Sequence, residues 1–443
     1  MHRLSVFGGA IAVAVTMALT GCSSGSGAAT GGGTGDAVDK SPDGKGQTVT
    51  LWTYEDKTSA MGVAWDAAIK QFETETGAKV QFQLKSFEQI NSTASQVLNS
   101  DSAPDVMEYN KGNATAGLLA SQGLLENLTP AVTAYGWDKL LPSSLQTTTK
   151  YNAKGIMGSG DYYGVPNYGE YVEVYYNKDL FTKYGVTVPT TLEEFEAALA
   201  TFKAHGLTPL AESAQQYPLG QLLYQLALSK ANRQWVTDYQ TYTGKVDFHD
   251  AAWTFAATKL KEWVDKGYIS KNATGLKAQD AGDAFTAGKS PLFFSGSWWY
   301  GTFTKSLKFG WGTFLFPGAT LSPGSSGNLW VVPTKSKHKD LAYRFIDITM
   351  SKTIQNLMGN NGGIPVAADP AAITDAKSKE LISNFNALTG RDGLAFYPDW
   401  PTATFYNEIN AALQELLNGS TTTDGFLTTL GDHYAKGVKQ ITG

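Results

Sequence analysis

The chain has 443 residues, with 35 basic and 40 acidic side chains, a net charge of −5 and 42% hydrophobic content, enough for two or three domains with large cores. Its charges are scattered and form no basic patch to neutralise a phosphate backbone, which argues against nucleic-acid binding. A lone cysteine rules out an intrachain disulfide, and no Cys/His spacing matches a structural zinc site, so stability comes from packing.

In chain order, His2 and Arg3 are followed by an apolar run over residues 4–19, then Thr20, Gly21 and the single cysteine, Cys22. This is the layout of a secretory signal peptide; the run is shorter than the roughly 20 residues of a transmembrane helix. Leu19-Thr20-Gly21-Cys22 resembles the bacterial lipobox, so residues 1–21 read as a lipoprotein signal peptide and Cys22 as the site of lipid attachment. An ordinary signal peptide with an incidental cysteine is the alternative. Residues 22–47 are rich in Gly, Ser, Ala and Thr with few apolar side chains, and read as a flexible tether. About 25 such residues have an r.m.s. span of roughly 25 to 30 Å. The folded part is expected to begin at Thr48.

Thr48–Thr53 is β-rich, and Met61, Trp65, Ala68, Ile69 and Phe72 then recur at helical spacing up to Gly77. Val80, Phe82 and Leu84 alternate with polar residues as in a half-buried strand. This β-α-β start predicts an α/β fold with parallel strands, whose ligands bind beyond the strand carboxyl ends, so the loop after Trp52 is a candidate site. Thr191 with Glu194 forms a capping box that opens a helix with Leu192, Phe195, Leu199 and Phe202 on one face, ending at His205 and Gly206. Ile409, Leu413, Leu416 and Leu417 give a further amphipathic helix, closed by Asn418 and Gly419.

Residues 163–181, Tyr-Gly-Val-Pro-Asn-Tyr-Gly-Glu-Tyr-Val-Glu-Val-Tyr-Tyr-Asn-Lys-Asp-Leu-Phe, resemble the first hinge of the sugar-binding proteins of bacterial ABC importers. This is solute-binding protein family 1, the group that includes the maltose-binding protein. Ala103-Pro104-Asp105-Val106, Gly296-Ser297-Trp298, residues 328–333 and Asn361-Gly362-Gly363-Ile364-Pro365 resemble further stretches of the family, in its order and over nearly the whole mature chain. The resemblance implies a two-lobed, periplasmic-binding-protein-like α/β fold with discontinuous lobes joined by crossing hinge segments. Lobe 1 is expected over 48–172 plus about 330–363, and lobe 2 over 173–329 plus about 364–443. The implied crossings lie near Tyr171 to Tyr176, Asn328 to Trp330 and Gly363 to Val366.

The same resemblance implies the function: a lipid-anchored, extracytoplasmic binding protein that captures a disaccharide or short oligosaccharide by hinge closure and presents it to permease subunits. It is expected to be a monomer without cofactor or metal, and not an enzyme. Pyranose rings stack their C–H faces on aromatic rings and offer hydroxyl rims to planar polar groups, which suits a chain with 11 Trp and 21 Tyr.

Carried over by position, the candidate ligand-binding residues are Tyr54, Glu55, Asp56 and Lys57 after the first strand, Tyr109 as a stacking ring with Asn110 beside it, and Glu170 before the first crossing. Trp298 follows a Gly-Ser pair, and one of Trp298 and Trp299 should be core. Asn328, Gly363, Trp400 and Tyr406 complete the set. A solvated charge pair accounts equally for Asp56 and Lys57, and core packing for Trp400 and Tyr406. Gly112 stands where the maltose pattern has a carboxylate, so xylobiose, cellobiose and chitobiose stay open.

Two other classes fit part of the pattern. Glu170, Glu173 and Asp399 fit a glycosidase in residue type, but no nucleophile elbow, phosphate loop or His-Glu-x-x-His occurs, and beyond His2 the histidines His205, His249, His338 and His433 are dispersed. A binder of another polar solute, a peptide or polyol, is the second. A sugar phosphate is disfavoured, because no Arg cluster lies in the proposed loops.

Overall fold

The computed structural model describes residues 37–443; the expected signal peptide, residues 1–21, and Cys22 lie outside the described residues. The packed body starts earlier than the expected Thr48. Val38 packs on the first apolar cluster, the Asp39 amide donates to Asp340 Oδ1 at 3.1 Å, and the Gly44 amide donates to the Thr76 carbonyl at 2.9 Å. A Cβ on Gly44 would lie 2.6 Å from Ala78 Cβ, so the glycine permits a close approach here. The expected tether boundary at residue 47 is therefore corrected to about residue 37.

Two five-membered sheet assemblies organise the rest. The first has the order Lys79–Leu84, Thr48–Thr53, Val106–Tyr109, Leu329–Val331, Val165–Pro166, parallel among its first three strands and antiparallel at the last two pairings. The helix Ala60–Thr76 makes the first crossover, N-capped by Ser59 and stopped by Gly77, whose φ of 73° only glycine adopts freely. Its buried face seats Trp65 against Trp330, 5.1 Å between ring centroids, and Phe72 against Phe345 at 5.9 Å.

The second sheet has the order Trp311–Phe314, Gly169–Asn177, Leu292–Gly296, Leu210–Ala211, with Gly324–Ser326 also paired to Gly169–Asn177. Helix Leu192–Ala204 carries the capping box, with the Glu194 amide on Thr191 Oγ1 at 3.2 Å and the Thr191 amide on Glu194 Oε2 at 3.3 Å. Phe405–Asn418 ends on left-handed Gly419.

The chain passes between the sheets at Asn167 and Tyr168, which lie between Val165–Pro166 of the first and Gly169–Asn177 of the second. This corrects the crossing expected near Tyr171 to Tyr176: that strand belongs wholly to the second lobe, so lobe 1 ends about five residues before position 172. The return runs through Gly327 and Asn328, and Gly169 bridges Ile364 beside the third passage.

Candidate functional site

Strand carboxyl ends of the two sheets face one cavity of about 610 Å³, within the range of small-ligand sites. From the first lobe, the end of Thr48–Thr53 supplies Tyr54, Glu55 and Asp56, and the end of Val106–Tyr109 supplies Asn110 and Lys111. In the second lobe, the end of Leu292–Gly296 supplies Trp298 and Trp299, and the loop after Leu210–Ala211 supplies Gln216 and Tyr217. Tyr397, Asp399, Trp400 and Tyr406 also line it.

A buried polar chain runs along the hinge floor. Lys111 Nζ, 2% exposed, donates to the Glu170 carboxylate and to Asn328 Oδ1 at 3.2 Å. Asn328 Nδ2 donates to the Tyr168 hydroxyl at 2.6 Å, and Glu55 accepts from Ser59 Oγ at 3.1 Å. Behind them Glu108 accepts from Thr53 Oγ1 and from Asn167 Nδ2 at 3.0 Å. Burial lifts the Glu108 carboxyl to about 7, and burial together with Glu108 lifts Glu55 well above the usual carboxylate range. Burial also raises Asp399 to about 6.

The walls are aromatic. Tyr217 meets Trp298 edge to face at 5.7 Å, and Trp298 lies 6.5 Å from Tyr397. Phe87, on the first-lobe helix Phe87–Leu98, reaches across to Tyr217 and Tyr406, each at 6.3 Å. Gln221 Oε1, Trp299 Nε1 and the Tyr54 hydroxyl are buried on lining residues with no hydrogen-bond partner among the described residues, an arrangement that suits a polyhydroxylated guest.

Of the sequence candidates, Tyr54, Glu55, Asp56, Asn110, Glu170, Trp298, Asn328, Trp400 and Tyr406 line the cavity. Three do not. Lys57 is exposed and turns its ammonium to the Phe82 ring at 5.7 Å. Tyr109, 3% exposed, is core because it ends a strand buried along its whole length. Gly363 packs against Met358, whose Cγ would lie 2.6 Å from an added Cβ. Trp400 is 1% exposed, its indole laid over Gly112, whose φ of 102° and missing side chain admit it. Trp299 packs on Phe293 and Phe303, which leaves Trp298 as the half-exposed member of the pair. Glu173 does not line the cavity; it is buried in the second lobe and accepts from the Tyr171 hydroxyl at 3.0 Å.

Sequence reasoning missed Lys111, Tyr168, Tyr217, Tyr397 and Gln221. Lys111 and Tyr168 were adjacent to, or inside, stretches already singled out. Tyr217 and Gln221 follow a two-residue strand, too short to leave a periodic signal.

A model of the family described as bacterial extracellular solute-binding protein matches residues 55–355. A probable sugar-binding periplasmic protein of Rhizobium meliloti is 30% identical over 194 residues, 43% of this chain, and the match spans only 44% of that relative's length. The diacetylchitobiose binding protein DasA of Streptomyces coelicolor is 25% identical over 74% of this chain and 77% of its own. Among solved structures, one from work on xylan utilisation by Caldanaerobius polysaccharolyticus superposes with a TM-score of 0.76 at 22% identity, covering 87% of this chain and 99% of that one. A chitin oligosaccharide binding protein gives 0.74 at 21% identity over 88% and 99%. These likenesses establish the two-lobed fold.

Proposed function

Because the chain belongs to the bacterial extracellular solute-binding protein family, we propose that it captures a disaccharide or short oligosaccharide between its lobes and delivers it to the permease of an ABC importer. The observation that carries this reading is the cavity itself. It combines half-exposed Trp298, Tyr217 and Tyr406 with Glu55, Asn110, Asp399 and unpartnered Gln221 Oε1, the pairing of ring faces and planar polar groups that a pyranose requires. Names of relatives support the same class: DasA is named for diacetylchitobiose, and another relative, from Streptococcus mutans, is a multiple sugar-binding protein.

The proposed role is binding without turnover. Of Glu170, Glu173 and Asp399, the carboxyl groups that fit a glycosidase in residue type, Glu173 lies away from the cavity, and Glu170, which lines it with Asp399, is held by the Lys111 ammonium. A thermal-shift screen of the mature protein against mono- and oligosaccharides tests the reading: a sugar at about 100 times its Kd adds about 2.7 kcal/mol of stability, and the sugar is recovered intact. No shift with any saccharide, or steady turnover by repurified protein, overturns it.

We also propose lipid attachment at Cys22, which would tether the protein outside the cytoplasm, in keeping with the periplasmic relatives. Cys22→Ala is expected to leave unprocessed precursor without labelled palmitate, while the purified body binds sugar as before. Equal labelling of the variant overturns the anchor.

A further inference from the structure

Carboxyl groups outnumber ammonium groups around the cavity, and Glu55 and Glu108 among them are buried. Its charged lining residues are Glu55, Asp56, Glu88 and Lys111 from the first lobe and Glu170, Lys277 and Asp399 from the second, with Glu108 directly behind. Lys277 is exposed at the rim, and Lys111 is committed to Glu170. Glu55 at 8% exposed accepts from Ser59 and the Tyr168 hydroxyl, and Glu108 at 0% accepts from Thr53 and Asn167, all neutral groups, with the Lys111 ammonium near enough to act on Glu108. Asp399 makes no ion pair among the described residues, and the Lys111 ammonium offsets only part of the rise that burial gives its carboxyl.

A buried carboxyl without a counter-charge is costly to ionise, so burial keeps protons on Glu55 and Glu108, and a ligand cation entering beside Glu55 would lower that cost and favour its ionised form. Two independent features suit one. Gln221, 8% exposed, presents a partnerless carbonyl-type acceptor, Oε1, on the cavity wall. The aromatic wall already holds a cation: Lys111 Nζ sits 5.5 Å from the ring centroids of both Tyr397 and Trp400, the geometry of cation–π attraction.

Resting on the saccharide reading above, we infer that the cleft selects oligosaccharides carrying a free ammonium, of the 2-amino-2-deoxy class, over their neutral isosteres, with Glu55 and Asp399 as counter-charges and Gln221 as an acceptor.

Three β-1,4-linked disaccharides that differ only at C2 test this: the glucosamine disaccharide with free amines, diacetylchitobiose and cellobiose, titrated calorimetrically into the mature protein at pH 6. The free amine is expected to bind at least tenfold more tightly than cellobiose. In Glu55→Gln and Asp399→Asn, whose folding is checked by circular dichroism, the ratio of the two affinities is expected to fall toward one, whatever the change in each affinity. Equal affinities in the wild type, or tighter binding of cellobiose or diacetylchitobiose, overturn the ammonium preference and leave the saccharide reading standing. Absence of binding by these three and by a wider saccharide panel overturns both.

Discussion

Trp298 separates a ligand-stacking residue from a core residue, because the chain places two tryptophans side by side on the cavity lining and only Trp298 is half-exposed, Trp299 being packed on Phe293 and Phe303. Trp298→Ala is expected to weaken sugar binding by about 2 kcal/mol or more, roughly thirtyfold in Kd, with little change in melting. A core tryptophan would instead cost about 3 to 5 kcal/mol of folding stability. Titration calorimetry and thermal melts of the same variant distinguish them. Glu173 makes a different prediction. Burial raises its carboxyl from an ordinary 4.5 to about 7, so between these values the folded chain keeps a proton that the unfolded chain loses. Stability therefore falls as pH rises from about 4.5 to about 7, with a slope approaching 1.4 kcal/mol per unit for one fully linked proton. Buried Glu108 adds a contribution of the same sign. In Glu173→Gln the fall in melting temperature over this window is expected to be shallower; an unchanged slope would show that Glu173 does not carry the linked proton.

Elements with strong local signals were legible in advance. The capping box at Thr191 and Glu194 occurs as read, and a Thr191→Ala variant is expected to lose about 1 kcal/mol of stability in urea unfolding. Its cap lies away from the cavity, so sugar affinity should be unaffected; an equal drop in affinity would tie this helix to the site. The helix Ala60–Thr76 and the strand Lys79–Leu84 were equally plain, since period and stop signals agreed. What failed was reading where an element sits. Tyr109 looked like a stacking ring by position in the chain, yet its strand is buried from Val106 onward, flanked by Thr48–Thr53 and Leu329–Val331. That second neighbour comes from more than 200 residues later, a distance no local pattern encodes. The hinge was misplaced for a similar reason: residues 163–177 read as one extended stretch, but Val165–Pro166 and Gly169–Asn177 pair in different sheets. The tether was overextended because composition hid two packing residues, Val38 and Gly44.

At the scale of the molecule, three thin passages at Asn167 and Tyr168, at Gly327 and Asn328, and beside Ile364 join the lobes, while several contacts hold them together across the cleft. Phe87 meets Tyr217 and Tyr406, Lys305 Nζ donates to the Thr58 carbonyl at 2.7 Å, and Asn113 Nδ2 donates to the Gln240 carbonyl at 2.7 Å. If the lobes open and close as proposed, a ligand touching both stabilises the arrangement with these contacts only by the difference in its affinity for that form and for an open one. Closure by hinge rotation predicts that small-angle scattering of the mature protein shows a lower radius of gyration on adding the best thermal-shift sugar. Phe87→Ala removes two aromatic edge contacts, each worth about 0.5 to 1.5 kcal/mol, from the closed form alone. Its affinity is expected to fall by about fivefold to a hundredfold, mostly through faster release. At saturating sugar its scattering curve should still reach the wild-type closed profile, because mass action restores the closed population. An unchanged radius of gyration in the wild type would mean that the lobes do not move relative to one another on binding. The loss in Phe87→Ala would then reflect a direct contact between its ring and the sugar.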